Sequence, residues 1–270
     1  MRNDSAYVHG YSEREAERLY DQANSVRNLI HADIAYPPGS VVLEAGCGVG
    51  AQTLTLALNS PDAKFLSVDH SKESLSLARE AIKRHKIENV EFVERDVFTL
   101  PIQEEGVDHV FVCHLLEHLP DPINGLLALR KYMKPNGSIT VFEGDHGSCY
   151  FHPETKESVK VWKCLIEVQR RLGANSLVGR ELFPMLKDSG FRNIRVMPKM
   201  VYIDKAAPEL QESFVSKTII PMVEGVKIQS LDLELIDKDT WQQGMEDLSR
   251  TGLNNNGVFC YTFFKGTALR

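Results

Sequence analysis

The sequence of 270 residues lacks paired cysteines, long apolar runs and an excess of positive charge. Its five cysteines lie far apart with no C-x-x-C pair, and this spacing argues for free thiols rather than disulfides. No stretch reaches the ~20 apolar residues that cross a bilayer, and the first ten residues lack the apolar run of a secretory signal. We therefore expect a cytoplasmic protein without a membrane span, held together by packing.

The charge balance also limits the partners that this chain can have. It carries 31 lysines and arginines against 37 aspartates and glutamates, which gives a formal net charge of −6. Non-specific binding to nucleic acid requires a broad basic surface, because the contacts are made with phosphates. Nucleic acid is therefore not an expected partner, and we expect a small-molecule ligand instead.

Short apolar segments alternate with amphipathic segments in the first half of the chain. Their periodicity predicts strands at 41–43, 64–68, 90–93, 107–113 and 138–143, with helices at 51–58, 72–85 and 122–132. Strands separated by helices of this length form parallel pairs through right-handed crossovers. The pattern therefore predicts an α/β fold with a mostly parallel, doubly wound sheet.

The segments on either side of this pattern predict three parts. Residues 1–36 contain a helical segment that ends before a Pro-Pro-Gly sequence, and residues 37–145 form the ligand-binding core of the sheet. Residues 146–270 complete the sheet. They also contain helices beyond those that the crossovers need, and we expect these helical insertions to form a lid over the substrate.

The most informative stretch is the loop Glu44-Ala45-Gly46-Cys47-Gly48-Val49-Gly50, which follows the first predicted strand. Glycines at alternate positions let the backbone approach a ligand where a Cβ would collide. The dinucleotide-binding fingerprint has a different spacing, G-x-G-x-x-G, and places a pyrophosphate at the helix N-terminus. An acidic residue beside the loop opposes a phosphate, so Glu44 favours a ligand with positive charge.

This stretch resembles motif I of the class I S-adenosylmethionine-dependent methyltransferases, in particular the ubiquinone/menaquinone-biosynthesis-like branch (methyltransferase type 11). Their cofactor carries a sulfonium and an ammonium group and no phosphate. The resemblance implies a Rossmann-like sheet of seven strands. It also implies methyl transfer from S-adenosylmethionine to an O, N, S or C atom of a small molecule, with S-adenosylhomocysteine as the product. We expect a monomer or a homodimer.

Three further matches to this family follow in order, each at the end of a predicted strand, where open α/β sheets bind ligands. The resemblance implies that Asp69 binds the ribose hydroxyls and that Asp96 binds the adenine amino group, with Val97 and Phe98 beside the ring. The fourth strand and the residues after it resemble motif IV. The predicted cofactor-binding residues are Tyr11, Gln22, Glu44, Gly46, Cys47, Gly48, Asp69, His70, Asp96, Val97, Phe98, Cys113, His114 and His118.

Two of these residues lie in the N-terminal segment, which resembles the helix that covers the cofactor in related methyltransferases. Tyr11 would shield the sulfonium through a cation–π contact, and Gln22 would bond the methionine part. The alternative is that Tyr11 covers the edge of the sheet. For His114 and His118, the alternative is that they merely face an edge of the cofactor or cap the short helix that precedes Pro120.

Catalytic residues are predicted in the segment 143–152, interpreted as a loop after the fifth strand. This segment is dense in titratable and aromatic side chains. Methyl transfer depends mainly on alignment, but a hydroxyl or acidic carbon also needs a base within hydrogen-bond reach. We predict His146 as the base or orienting group, supported by Asp145 and His152. The alternative is a loop of surface histidines.

Other chemistries remain open at this point. His146, Cys149 and His152 have the residue types of metal ligands, as do His114 and His118, but alkylation by a sulfonium needs no Lewis acid. We therefore predict no metal. Two further alternatives are a protein that binds S-adenosylmethionine without catalysis and an NAD(P)-dependent oxidoreductase. The glycine spacing and Asp96 argue against the oxidoreductase.

Overall fold

The computed structural model describes residue 23 and residues 25–100, 103–253 and 256–270. Its helices are α1 (Arg27–His31), α2 (Thr53–Asn59), α3 (Lys72–Arg84), α4 (Pro122–Tyr132), α5 (Lys156–Arg171), α6 (Leu182–Asp188), α7 (Pro208–Leu210), α8 (Ile220–Glu224), α9 (Lys227–Asp232) and α10 (Lys238–Leu253). Short 3-10 helices span Leu116–His118 and Val178–Glu181, and a π-helix spans Gln211–Ile219. The strands are β1 (Val41–Ala45), β2 (Lys64–Asp69), β3 (Val90–Glu94), β4 (Val107–Cys113), β5 (Met133–His152), β6 (Arg192–Ile203) and β7 (Val258–Leu269).

These strands form one seven-stranded sheet with the order β3-β2-β1-β4-β5-β7-β6. The pairs β1–β2, β1–β4, β2–β3 and β4–β5 are parallel, and Leu43 lies opposite both Leu66 and Val110. The expected α/β fold with a mostly parallel, doubly wound sheet is therefore confirmed. The strand order reverses between β1 and β4, and ligands of open α/β sheets bind at such a reversal.

Side-chain caps set the starts of several helices. The Ser71 hydroxyl accepts a hydrogen bond from Ser74 N at the start of α3, and the Asp121 carboxylate accepts one from Asn124 N at the start of α4. Thr155 begins α5 with a capping box. Each cap satisfies a backbone N–H that has no partner within its helix, so the helices begin where these polar side chains stand.

The chain divides into two compact units. The first, named here the sheet unit, contains Arg27–Gly144, Val178–Lys199 and Phe263–Arg270. Its core is built from apolar strand and helix residues, among them Leu43, Val110, Leu126, Ile139 and Leu186. The second, named the helical unit, contains the described residues up to Val26, Asp145–Leu177 and Met200–Thr262. Its helices α5 and α10 pack against each other.

One expectation about the fold is wrong. The segment predicted as a loop after residue 143 belongs to β5, which continues to His152. The physical reason is the aromatic strand β7, which is the neighbour of β5 in the sheet and pairs with its edge. Within the helical unit, the rings of Phe151 on β5 and Phe259 on β7 stack with centroids 6.2 Å apart.

About half of the N-terminal segment predicted as a helix, residues 12–34, lies outside the described residues, and its described part contains α1. The buried Lys265 ammonium on β7 donates to the Ile30 carbonyl and to the Asp33 carboxylate. These two bonds fix the end of α1 to the sheet. Among the described residues, no helix has the length and apolar character that crossing a membrane requires.

Candidate functional site

The three glycines of the loop after β1 all have positive φ, +73° at Gly46, +52° at Gly48 and +79° at Gly50. A Cβ at Gly46 would lie 2.9 Å from Leu115 Cδ1, and one at Gly50 would lie 2.9 Å from Ala78 Cβ. A Cβ at Gly48 would meet no atom of the described residues within 4 Å. Gly46 and Gly50 therefore permit close packing inside the protein, whereas Gly48 borders open space that a ligand can enter.

Glu44 is buried directly before this loop. Its carboxylate accepts hydrogen bonds from the Thr53 hydroxyl at 2.7 Å and the Ser67 hydroxyl at 2.6 Å. Burial raises the pKa of Glu44 to about 7, although the two hydroxyl donors favour the charged form. Glu44 thus joins β1 to α2 and β2, and its predicted role toward a positively charged ligand stays a prediction.

Asp69 at the end of β2 fixes the glycine loop. One carboxylate oxygen accepts from Gly48 N at 2.8 Å, and the other accepts from Ser71 N at 2.9 Å. A carboxylate has about four acceptor sites, so Asp69 keeps acceptor capacity for a ligand. The next residue, His70, is exposed, and its Nδ1 lies 3.6 Å from Asp69 Oδ1.

Asp96 follows β3 at the same edge of the sheet. Its carboxylate accepts a hydrogen bond from Phe98 N at 3.0 Å, and its carbonyl accepts one from Thr99 N at 2.9 Å. Val97 is buried in the core of the sheet unit, whereas Phe98 is only partly buried. The turn therefore holds Asp96 and Phe98 at the end of β3.

The end of β4 places a histidine beside two glutamates, named here the His–Glu cluster: His114, Glu117 and Glu143. The His114 Nδ1 atom lies 3.9 Å from Glu117 Oε1, and His118 Nε2 lies 3.6 Å from the same oxygen. Cys113 precedes the cluster, and burial raises the pKa of its thiol, which keeps it neutral. Of the predicted cofactor-binding residues, Cys113, His114 and His118 therefore share one corner of the sheet unit.

Glu143 is fully buried at the position where β5 passes this corner. Its Oε1 accepts from Leu115 N at 3.0 Å and from Leu116 N at 2.8 Å. Burial, and next the charge of Glu117, raise the pKa of Glu143 well above its usual value. Neither Glu117 nor Glu143 was among the predicted site residues. The sequence feature that could have identified Glu143 is a carboxylate at the end of an apolar strand.

The three predicted catalytic residues lie in the helical unit, but they differ in burial and in hydrogen-bond partners. His146 is 6% exposed, and its Nδ1 forms a 2.6 Å hydrogen bond with the Tyr261 hydroxyl. The indole N–H of Trp162 donates to the His146 carbonyl at 2.8 Å. Asp145 is buried and accepts from Gly147 N at 2.9 Å, whereas His152 is exposed.

Two predicted cofactor-binding residues belong to the N-terminal segment. Tyr11 and Gln22 lie outside the described residues, so their predicted contacts with the cofactor stay predictions. Tyr261 was not predicted, because it stands 115 positions from His146 and no spacing in the sequence links the two. Only the neighbouring strands β5 and β7 bring them together.

Comparisons with known proteins agree with this architecture. A family model described as a methyltransferase domain matches residues 37–190. The curated relatives include an uncharacterized methyltransferase of Schizosaccharomyces pombe, 31% identical over 150 residues, which cover 52% of this chain and 52% of that protein. A demethylmenaquinone methyltransferase of Staphylococcus aureus is 25% identical over 204 residues, covering 66% of this chain and 83% of the relative. The chain spans about half the length of the first curated relatives that it matches.

A solved structure shows the same fold. It is a phosphoethanolamine N-methyltransferase 2 of Haemonchus contortus, in complex with phosphomonomethylethanolamine and S-adenosylhomocysteine. The match has a TM-score of 0.56 and 17% identity, and it covers 93% of this chain and 52% of that one. The family model covers more than half of the chain, including the glycine loop and the ends of β1 to β5. This protein therefore belongs to the methyltransferase-domain family.

Proposed function

We propose that this protein transfers a methyl group from S-adenosylmethionine to a small-molecule acceptor. The observation that carries the proposal is the open space at Gly48, bordered by a backbone that Asp69 holds in place. In the reaction, an electron pair of the acceptor forms a bond to the methyl carbon as the carbon–sulfur bond breaks. The electrons of that bond stay on sulfur, and S-adenosylhomocysteine leaves. Any proton on the acceptor atom passes to a base or to water.

The residues at the strand ends have the chemistry that this cofactor needs. We assign the remaining acceptor capacity of Asp69 to the ribose hydroxyls and the carboxylate of Asp96 to the adenine amino group. Val97 and Phe98 would pack against the adenine ring. The S-adenosylhomocysteine named for the Haemonchus contortus structure supports this cofactor, and the demethylmenaquinone methyltransferase relative supports a small organic acceptor.

Binding of S-adenosylhomocysteine provides the first test. Gly48→Ala places a methyl group in the open space, and we expect it to weaken binding at least about tenfold, measured by calorimetry. Gly39→Ala is the matched control. Gly39 also has positive φ, +76°, and a Cβ there would likewise meet none of the described part of the chain within 4 Å, but Gly39 precedes β1. The control carries the same type of backbone strain and should bind as the wild type does.

One result would contradict the place assigned to the cofactor, and another its identity. Equal losses of affinity in both variants would mean that backbone strain, rather than the space at Gly48, explains the effect. Binding of NAD+ in place of S-adenosylhomocysteine by the wild type would favour an oxidoreductase. Transfer of a labelled methyl group to any acceptor would in turn exclude a protein that only binds the cofactor.

We also propose that His146 acts on the methyl acceptor, either as the base that accepts its proton or as the group that orients it. Its hydrogen bond to Tyr261 fixes the ring, and a fixed ring is what a base in a methyl transfer requires. Asp145 would act as a positioning residue through Gly147 N, and a role for His152 stays a prediction. We expect His146→Asn to lower kcat at least about a hundredfold and to leave S-adenosylhomocysteine affinity unchanged. Unchanged kcat at every pH would reduce His146 to a structural residue.

A further inference from the structure

We propose that the His–Glu cluster of the sheet unit binds a divalent metal ion, with His114, Glu117 and Glu143 as ligands. The ligand atoms of these three side chains all lie within 4.8 Å of one another. Two ligands of one ion, each about 2.1 Å from it, stand about 3.0 to 4.2 Å apart. Small side-chain movements therefore suffice to bring the three atoms around one ion.

The second and independent observation is the free oxygen of Glu143. The side chain is fully buried, and Oε1 already accepts two backbone hydrogen bonds. Its Oε2 is buried and has no hydrogen-bond partner among the residues that the structure describes. A buried carboxylate oxygen without a partner has a high free-energy cost, and this cost disappears when the oxygen binds a cation.

The backbone around Glu143 has the arrangement that metal ligands need. The amides of Leu115 and Leu116 hold Oε1 at 3.0 and 2.8 Å, which orients the carboxylate. Metal-binding carboxylates are themselves hydrogen-bonded in this way, and such outer bonds keep the ligand in position. The carboxylate is thus held in a fixed direction before any ion arrives.

The donor set indicates which ions fit. Two carboxylates and one imidazole suit Mn²⁺, Zn²⁺ or Fe²⁺ better than Ca²⁺, which prefers oxygen ligands alone. A divalent ion that binds here would displace the proton of Glu143, and the two carboxylates would then balance the charge of the ion. His114 and Glu117 are each partly exposed, with side-chain exposures of 21% and 14%. An ion could therefore reach the cluster and keep a free coordination position for an oxygen or nitrogen atom of a ligand.

This inference goes beyond the proposed function, and its test needs no methyl acceptor. Protein freed of metal by a chelator is titrated with Mn²⁺, and binding is measured by electron paramagnetic resonance and calorimetry. We expect one Mn²⁺ per chain with a Kd of about 10 µM or tighter. Zn²⁺ should compete for the same site. S-adenosylhomocysteine binding is measured separately without metal, so failure of one proposal leaves the other testable.

Substitutions identify the ligands. Glu143→Gln and Glu117→Gln keep the side-chain volume and should each weaken Mn²⁺ binding at least about tenfold. Glu91→Gln, on the exposed surface of β3, is the matched control and should bind as the wild type does. Circular dichroism establishes that each variant is folded. Absence of Mn²⁺ and Zn²⁺ binding by the wild type, or equal binding by the wild type and the Glu117 variant, would overturn the proposal.

Discussion

Substituting Glu44 with glutamine is expected to stabilise the protein by about 3 kcal/mol at pH 8 and to have little effect near pH 4.5. Burial raises the pKa of Glu44 from 4.5 to about 7 in the folded protein. An acid whose folded pKa is raised contributes stability below its unfolded pKa and loses that contribution as pH rises through the folded value. At pH 8 the folded protein therefore carries the full cost of a buried charge, and glutamine removes it.

The neutral variant keeps the local hydrogen bonds. The glutamine carbonyl can still accept from the hydroxyls of Thr53 and Ser67, which now donate to the carboxylate. Urea unfolding at pH values from 4.5 to 8 gives the difference in free energy of unfolding between the wild type and the variant. The contributions of other groups cancel in this difference, because those groups titrate equally in both proteins. If the difference in free energy of unfolding stayed constant with pH, the raised pKa of Glu44 would be contradicted.

The opposite change is expected when a donor to Glu44 is removed. The Ser67 hydroxyl favours the charged form, so Ser67→Ala should lower the free energy of unfolding more at pH 8 than at pH 5. The two variants together separate the charge of Glu44 from its packing. The acid beside the glycine loop, selected from the sequence for its charge, would then also set how the stability of the sheet unit depends on pH.

The sequence predicts the first half of the fold well, because each strand and helix there has a strong local signal. The strand at 107–113 and the helix at 122–132 have the same bounds in the structure. The helix predicted at 72–85 ends one residue earlier. In this region the apolar period and the helix caps agree with each other, so local information determines the elements.

Prediction fails where a distant strand decides the structure. The glycines and polar residues of segment 143–152 are typical of a loop, but β7 pairs with this segment and makes it a strand. The same distant pairing creates the contact between His146 and Tyr261. Likewise, the glycine loop could be identified from its spacing, but only the fold distinguishes Gly48, which borders open space, from Gly46 and Gly50, which are packed.

Substituting Gly244 in α10 is expected to destabilise the helical unit, although alanine favours helices over glycine by about 1 kcal/mol. A Cβ at this position would lie 2.5 Å from the Glu157 carbonyl oxygen and 2.7 Å from Val161 Cγ1, both on α5. Because a backbone carbonyl cannot rotate away, α10 would have to move from α5. We expect Gly244→Ala to lower the free energy of unfolding, and Gly244→Leu to lower it by about 3 kcal/mol.

The two tryptophans give this prediction a local readout. Trp162 on α5 and Trp241 on α10 are the only tryptophans of the chain, and both are buried in the helical unit. Their fluorescence therefore follows unfolding of that unit, whereas S-adenosylhomocysteine binding follows the glycine loop of the sheet unit. Glu246→Ala, on the exposed side of α10, is the control and should change stability by less than about 0.5 kcal/mol.

The sign of the alanine effect decides between two explanations of Gly244. If this glycine were only a tolerated weak point of the helix, Gly244→Ala would stabilise the protein, and the fluorescence transition would move to higher urea concentration. If the glycine is what lets α5 and α10 approach, the transition moves to lower urea concentration. A hydrogen bond from the Thr155 hydroxyl to Asp247, 2.8 Å long, links the same two helices, and it would lengthen or break as they separate. Thr155→Ala should then cost less stability in the Gly244→Leu protein than in the wild type, because the bond is already weakened there.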